Sequence, residues 1–204
     1  MRRPTALAAA LCLGTLAARA ETPGAIFTAE DWGLVVRYPS GLRVSTRFRK
    51  SYLDFGAWRV SYAAGPGEGT PIVSFALPDL HVKDAGGAGE ASAELRIGAS
   101  RDPTALATCR TYGMNSGNNV EERTRVIGGL TFTEVPDNSD ASMMTQIRSD
   151  DFRALDGGTC WAIDIIRITA GTSESPPDYP PAQLALLERV LDGISFTQSG
   201  DGKR

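Results

Sequence analysis

The clearest hydrophobic pattern runs from Met144 to Ala170. In Thr159–Ala170 the residues Trp161, Ile163 and Ile165 alternate with Cys160, Ala162, Ile166 and Ile168, so both faces of an extended segment would be apolar. A strand that is apolar on both faces must be covered on both, which places it at the centre of a sheet. Met144–Leu155 precedes it, and Asp156-Gly-Gly158 lies between the two. Glycine supplies the positive φ that tight hairpin turns require, so the pair reads as a hairpin. One charge, Asp164, interrupts the apolar run.

The remaining pattern supplies shorter elements. Trp32–Tyr38 and Leu42–Thr46 read as strands around a Pro39-Ser-Gly41 turn, an opening hairpin. Ala57–Tyr62 alternates Trp58, Val60 and Tyr62 against Arg59 and Ser61, and Ile72–Leu77 follows a glycine-rich loop. Ala91–Ala99 shows one apolar face, with Glu94 and Arg96 opposite it. Asp102 before Pro103 is a helix-start signal, and the short helix it opens would deliver Cys109. Val120–Val135 is strand-like with a turn or bulge at Gly128-Gly129, and Pro136–Asp140 should end it. Four prolines in Gly171–Pro181 suit a stiff connection across the surface. Leu184, Leu187 and Leu191 then mark one stripe of a helix over Ala182–Leu191, closed by Gly193 as its C′ residue and followed by a last strand, Ile194–Phe196. Runs of strands with few helices predict an α+β fold: a single domain, a twisted antiparallel sheet with the C-terminal helix and a short mid-chain helix packed on one face.

The ends and the composition set the compartment. Arg2 and Arg3, an apolar run from Ala6 to Ala18, and Ala18-Arg19-Ala20 have the three parts of a secretory signal peptide. The run is too short for a membrane span, so cleavage after Ala20 is expected, leaving no transmembrane segment. The domain would occupy residues 21–197, with 198–204 as a mobile tail. Losing Arg2, Arg3 and Arg19 takes the net charge from −3 to −6, and no basic cluster argues for nucleic acid. Cys12 leaves with the signal, so Cys109 and Cys160 remain as a pair in an oxidising compartment. A disulfide between them is predicted.

Candidate chemistry is sparse. His81 is the only histidine, no Gly-x-Ser-x-Gly accompanies it, and a three-histidine zinc site cannot be assembled. The loop Gly65–Pro71 lacks the Lys-Ser/Thr ending of a phosphate loop. Asp137-Asn-Ser-Asp140 and Asp150-Asp151 offer oxygen ligands without calcium-loop spacing, and read as solvated turn carboxylates. No cofactor is called for. Asp164 needs a partner because an unpaired buried carboxylate costs several kcal/mol; Arg148 and Arg153 on the neighbouring strand are the candidates. Either Asp164 lines a small pocket or it forms an ion pair at the sheet rim.

Two stretches together resemble the PsbP-like fold: Trp32-Gly-Leu-Val-Val-Arg-Tyr-Pro-Ser-Gly41, similar to its first hairpin, and Leu184–Phe196, helix then strand, similar to its end. Ala93–Ala99 before Cys109 and Gly158-Thr-Cys-Trp-Ala-Ile163 before the leucine helix resemble a group of uncharacterised exported bacterial proteins. The similarity spans residues 26 to 197 and carries no catalytic residue. It implies a non-catalytic accessory or binding module, since proteins of that fold serve as such subunits in unrelated systems. The partner would be a protein or envelope component, held at an apolar patch around Trp32, Tyr52, Phe55 and Trp58. Alternatives are a hydrolase of unfamiliar layout using His81, and an inhibitor of a secreted enzyme presenting the loop Gly113–Asn119.

Overall fold

The computed structural model describes residues 24–48, 58–60, 67–84, 86–110, 122–142, 144–172 and 177–197. The signal segment, the tail, Tyr52, Phe55 and the loop Gly113–Asn119 lie outside the described residues. The predicted hairpin is the core of the molecule: β9 (Thr145–Asp156) and β10 (Thr159–Gly171) pair from Thr159↔Asp156 to Ala170↔Thr145. Gly157 and Gly158 form the turn with φ of 52° and 74°, the left-handed geometry of a tight two-residue hairpin turn. On its other edge β10 pairs with β6 (Gly87–Ser100) over its whole length. The large sheet also holds β3 (Arg43–Ser45), β4 (Thr70–Ala76), β5 (Leu80–Asp84), β7 (Arg123–Ile127) and β8 (Leu130–Ser142), in the order β3-β4-β6-β10-β9-β8-β7 with β5 also on β6. β10 is therefore central, as its two apolar faces require.

One face of this sheet carries Trp161, Ile163 and Ile165 with Leu95, Ile97, Val73, Phe75 and Phe152, and it is covered by α2 (Pro181–Asp192) through Leu187, Val190 and Leu191. A second, three-stranded sheet of β1 (Ala25–Ala29), β2 (Leu34–Tyr38) and β11 (Ile194–Phe196) contributes Leu34, Val36 and Ile194 to the same core. The opposite face carries Cys160, Ala162, Asp164 and Ile166. There α1 (Pro103–Ala107) is set by Asp102, whose Oδ1 accepts the Thr104 and Ala105 N–H groups, and the disulfide Cys109–Cys160 joins it to β10 at a Cα separation of 5.6 Å. The two helices thus lie on opposite faces of the sheet, not on one. The disulfide draws α1 to the Cys160 face, whereas the leucine stripe seeks the tryptophan face.

Three further expectations change. Leu42–Thr46 does not pair with Trp32–Tyr38: β2 lies between β1 and β11, while β3 pairs with β4 in the other sheet. The Pro39–Gly41 turn passes the chain between sheets. Pro136–Asp140 does not break the strand: Pro136 and Asp137 sit in a bulge of β8 between Val135 and Asn138, the kind of position a proline tolerates, and Asn138–Asp140 pair on with β9. The proline-rich connection is no surface spacer at Tyr179, which is buried and whose hydroxyl donates to Pro78 O and Ala91 O.

Candidate functional site

The face of the sheet opposite α2 is unusual because its centre is ionisable. Side chains alternate along a strand, so Asp164 of β10 shares this face with Arg96 of β6 and Asp151 of β9, its register partners, and with Arg153 and Glu94 beside them. All five are buried: Arg153 and Asp151 are 0 % exposed, Asp164 1 %, Arg96 5 % and Glu94 6 %. Arg153 Nη1 meets Asp164 Oδ1 at 2.5 Å, and Arg96 Nη2 meets Glu94 Oε1 at 2.8 Å. Arg153 also donates to Phe152 O at 2.9 Å, and Asn138 Nδ2 donates to Asp151 Oδ2 at 3.0 Å. Glu94 and Arg96 were expected to face solvent. They are instead the second buried face of β6, a pattern that looks like an amphipathic strand and is in fact a paired core.

A short strap, Trp58–Val60, lies over this cluster. Val60 N–H donates to Asp164 Oδ2 at 2.8 Å, and Arg153 Nη2 donates to Val60 O at 3.1 Å, so the ion pair grips one backbone unit of the strap from both sides. Close approach depends on a missing side chain: a Cβ on Gly98 would stand 1.9 Å from Trp58 O. Trp58 is buried with Ala105, Cys109, Cys160 and Ala162. Trp32 lies on the other side of the sheet, against Trp161 with ring centroids 6.0 Å apart and under the Arg101 guanidinium. Trp32 and Trp58 therefore do not form the shared exposed patch expected of them.

Of the sequence candidates, Asp164 and Arg153 come together, at the sheet centre and not at its rim. Arg148 does not join them. It projects from the opposite face, in register with Arg167, where a cavity of about 250 Å³ is bounded by both arginines, Gln146, Pro177 and Asp178. The acidic run is likewise divided. Asp150 and Asp137 approach Arg167 at 3.6 Å each, whereas Asp151 is buried on the other face and is no solvated turn carboxylate. Among the described residues no cluster of metal-ligating side chains forms.

His81 lies elsewhere. It is exposed on β5, in register with Glu90 of β6, and both border a groove of about 600 Å³ with Lys83, Met144, Thr145 and Ala170. From Asp164 to Ala170 is about 20 Å of strand, so the groove and the buried cluster are separate places on one face. Opposed Glu90 and His81 could orient an imidazole, and Thr145 supplies a hydroxyl; among the described lining residues there is neither serine nor cysteine. The groove has an apolar floor of Ala88, Gly89 and Ala170, a rim of both charge signs, and Met144 exposed at its edge. Met144 was a strand-end residue in the sequence reading; only the meeting of β5, β6, β9 and β10 makes it part of a concave surface.

No protein-family model matches the chain, and no curated protein matches it. Among solved structures, a protein of Bacteroides thetaiotaomicron VPI-5482 is similar over 89 % of this chain at 14 % identity and a TM-score of 0.44; the chain spans 52 % of that protein's length. LpqN of Mycobacterium tuberculosis, described as involved in cell envelope biogenesis, is similar over 86 % of each chain at 9 % identity and a TM-score of 0.39. At such scores these are remote likenesses of fold, and neither structure is described as PsbP-like.

Proposed function

We propose that this is an exported, non-catalytic binding or accessory module of the PsbP-like kind, and that it engages a protein or envelope component at the His81–Met144 groove. The observation that carries the reading is the contrast between two sites on one face. The ionisable cluster is buried under the strap, while the open groove joins an apolar floor to a charged rim. Concave, mostly apolar surfaces with a few polar groups are where ligands and partner segments seat. Export is supported by the disulfide, which persists in oxidising compartments, and by the signal-like N-terminus. Among the described residues no helix is long and apolar enough to cross a membrane.

Photo-crosslinking tests the groove. A photoreactive residue at Met144 or Lys83, in protein expressed in its own cell envelope, should give one shared adduct, and the same residue at exposed Val126 of β7 should not. Equal labelling at all three positions, or none, would remove the groove from the proposal. The opposed Glu90 and His81 favour a second reading, a hydrolase in which Glu90 orients His81. Turnover of an ester or phosphodiester panel that vanishes in His81→Ala, with the fold intact, would replace the first reading by the second.

A further inference from the structure

We propose that the Asp151–Asp164 carboxylate pair is a pH-sensitive latch that holds the Trp58–Val60 strap shut in acid and loosens it toward neutral pH. The geometry supplies each part. Asp164 and Asp151 are register partners on adjacent strands, and both are buried. The groups that bear on Asp151 are Asp164 from β10, Arg153 and Ser149 from its own strand and Asn138 from β8; the Arg96–Glu94 pair of β6 shares the face beyond Asp164, and Arg59 of the strap is buried. Glu94 already takes Arg96, and Arg153 is spent on Asp164 and the strap backbone. Asp151 Oδ2 accepts from the Asn138 amide with Ser149 alongside, no arginine is its own, and its Oδ1 is buried without a hydrogen-bond partner. A second ionised carboxylate here therefore works against the one that fastens Val60. Burial, and after it the neighbouring Asp164, push Asp151 up to about 7 against the opposing pull of Arg153, Asn138 and Ser149. Opening the strap admits water and returns Asp151 toward an ordinary carboxyl, so ionisation and opening favour each other.

Hydrogen exchange of the Val60 amide in the disulfide-bonded protein, corrected for intrinsic rate, reads the latch directly. Its opening equilibrium should rise about tenfold per pH unit between about 4 and about 7 and level off above, and stay larger than that of the β10 amides, which open only on global unfolding. Asp151→Asn, which keeps shape and hydrogen bonding but cannot ionise, should hold Val60 protected at every pH. Asp164→Asn removes the acceptor's charge and should leave Val60 exchanging fast at every pH. Should Asp151→Asn not fold, carboxyl NMR titration of Asp151 in the unmodified protein replaces it, and its midpoint must coincide with the midpoint of Val60 protection. A flat Val60 profile, a pH dependence that survives Asp151→Asn, mismatched midpoints, or undiminished protection in Asp164→Asn would each overturn the latch.

Discussion

Asp164 and Asp151 stand opposite each other on neighbouring strands, but only Asp164 has an arginine of its own. Their substitutions should therefore differ in sign. Asp164→Asn leaves Arg153 charged, buried and facing a neutral amide. Breaking a buried pair from one side typically costs about 3 kcal/mol or more, and a urea titration at pH 7 should show a loss of that order. Asp151→Asn should instead stabilise. A carboxyl whose folded-state value lies above its unfolded one binds its proton more tightly when folded; its contribution is complete in acid and is lost as pH rises from about 4 to about 7. The unmodified protein's urea midpoint should fall across that window, and Asp151→Asn should remove the slope and gain on the order of a few kcal/mol at pH 8. The need for a partner at Asp164, and Arg153 as a candidate, could be read from the strand pattern alone. Asp151 could not, because two adjacent aspartates in a sequence look like a solvated turn until the register with β10 puts one of them opposite Asp164.

At the scale of elements, Gly193 separates two explanations of one residue. As a helix C′ glycine it would be expected in the left-handed region; its φ is −89°. Its reason is space: a Cβ would stand 1.9 Å from Arg37 O, where β2 passes the end of α2. Gly193→Ala should therefore destabilise by roughly 2 kcal/mol, as overpacking does, although alanine is the better helix former. Thermal unfolding measures it, and an unchanged or raised Tm would restore the capping explanation. The disulfide acts between elements, joining α1 to the central strand across a sequence separation of 51. Replacing both Cys109 and Cys160 by alanine should cost roughly 4 kcal/mol on the chain-entropy estimate, seen as a lower urea midpoint in non-reducing buffer. The β9–β10 hairpin, the cap of α1 and the leucine face of α2 were legible because each rests on local periodicity or a turn residue. Strand pairing at the N-terminal end was not, since a Pro-Ser-Gly turn bends the chain equally well toward a hairpin partner or toward another sheet.

At the scale of the molecule, one sheet face is closed by α2 and the small sheet, and the other is divided among α1, the strap and the open groove. That division commits the buried ionisable groups to structure. Ionisable residues are present in quantity, but the buried ones are used on one another and on the strap, and the exposed His81 and Glu90 border a groove with neither serine nor cysteine among its described residues. The alternation of Thr159–Ala170, the glycine turn before it and the stripe of leucines are properties of neighbours along the chain, so a central strand, its hairpin partner and a covering helix follow from residue order alone. Which face each helix takes, whether Glu94 and Arg96 meet water or each other, and where Met144 meets His81 depend on register between strands far apart in sequence. Long-range strand pairing settles those, because a one-residue change in register moves every side chain of a strand to the opposite face.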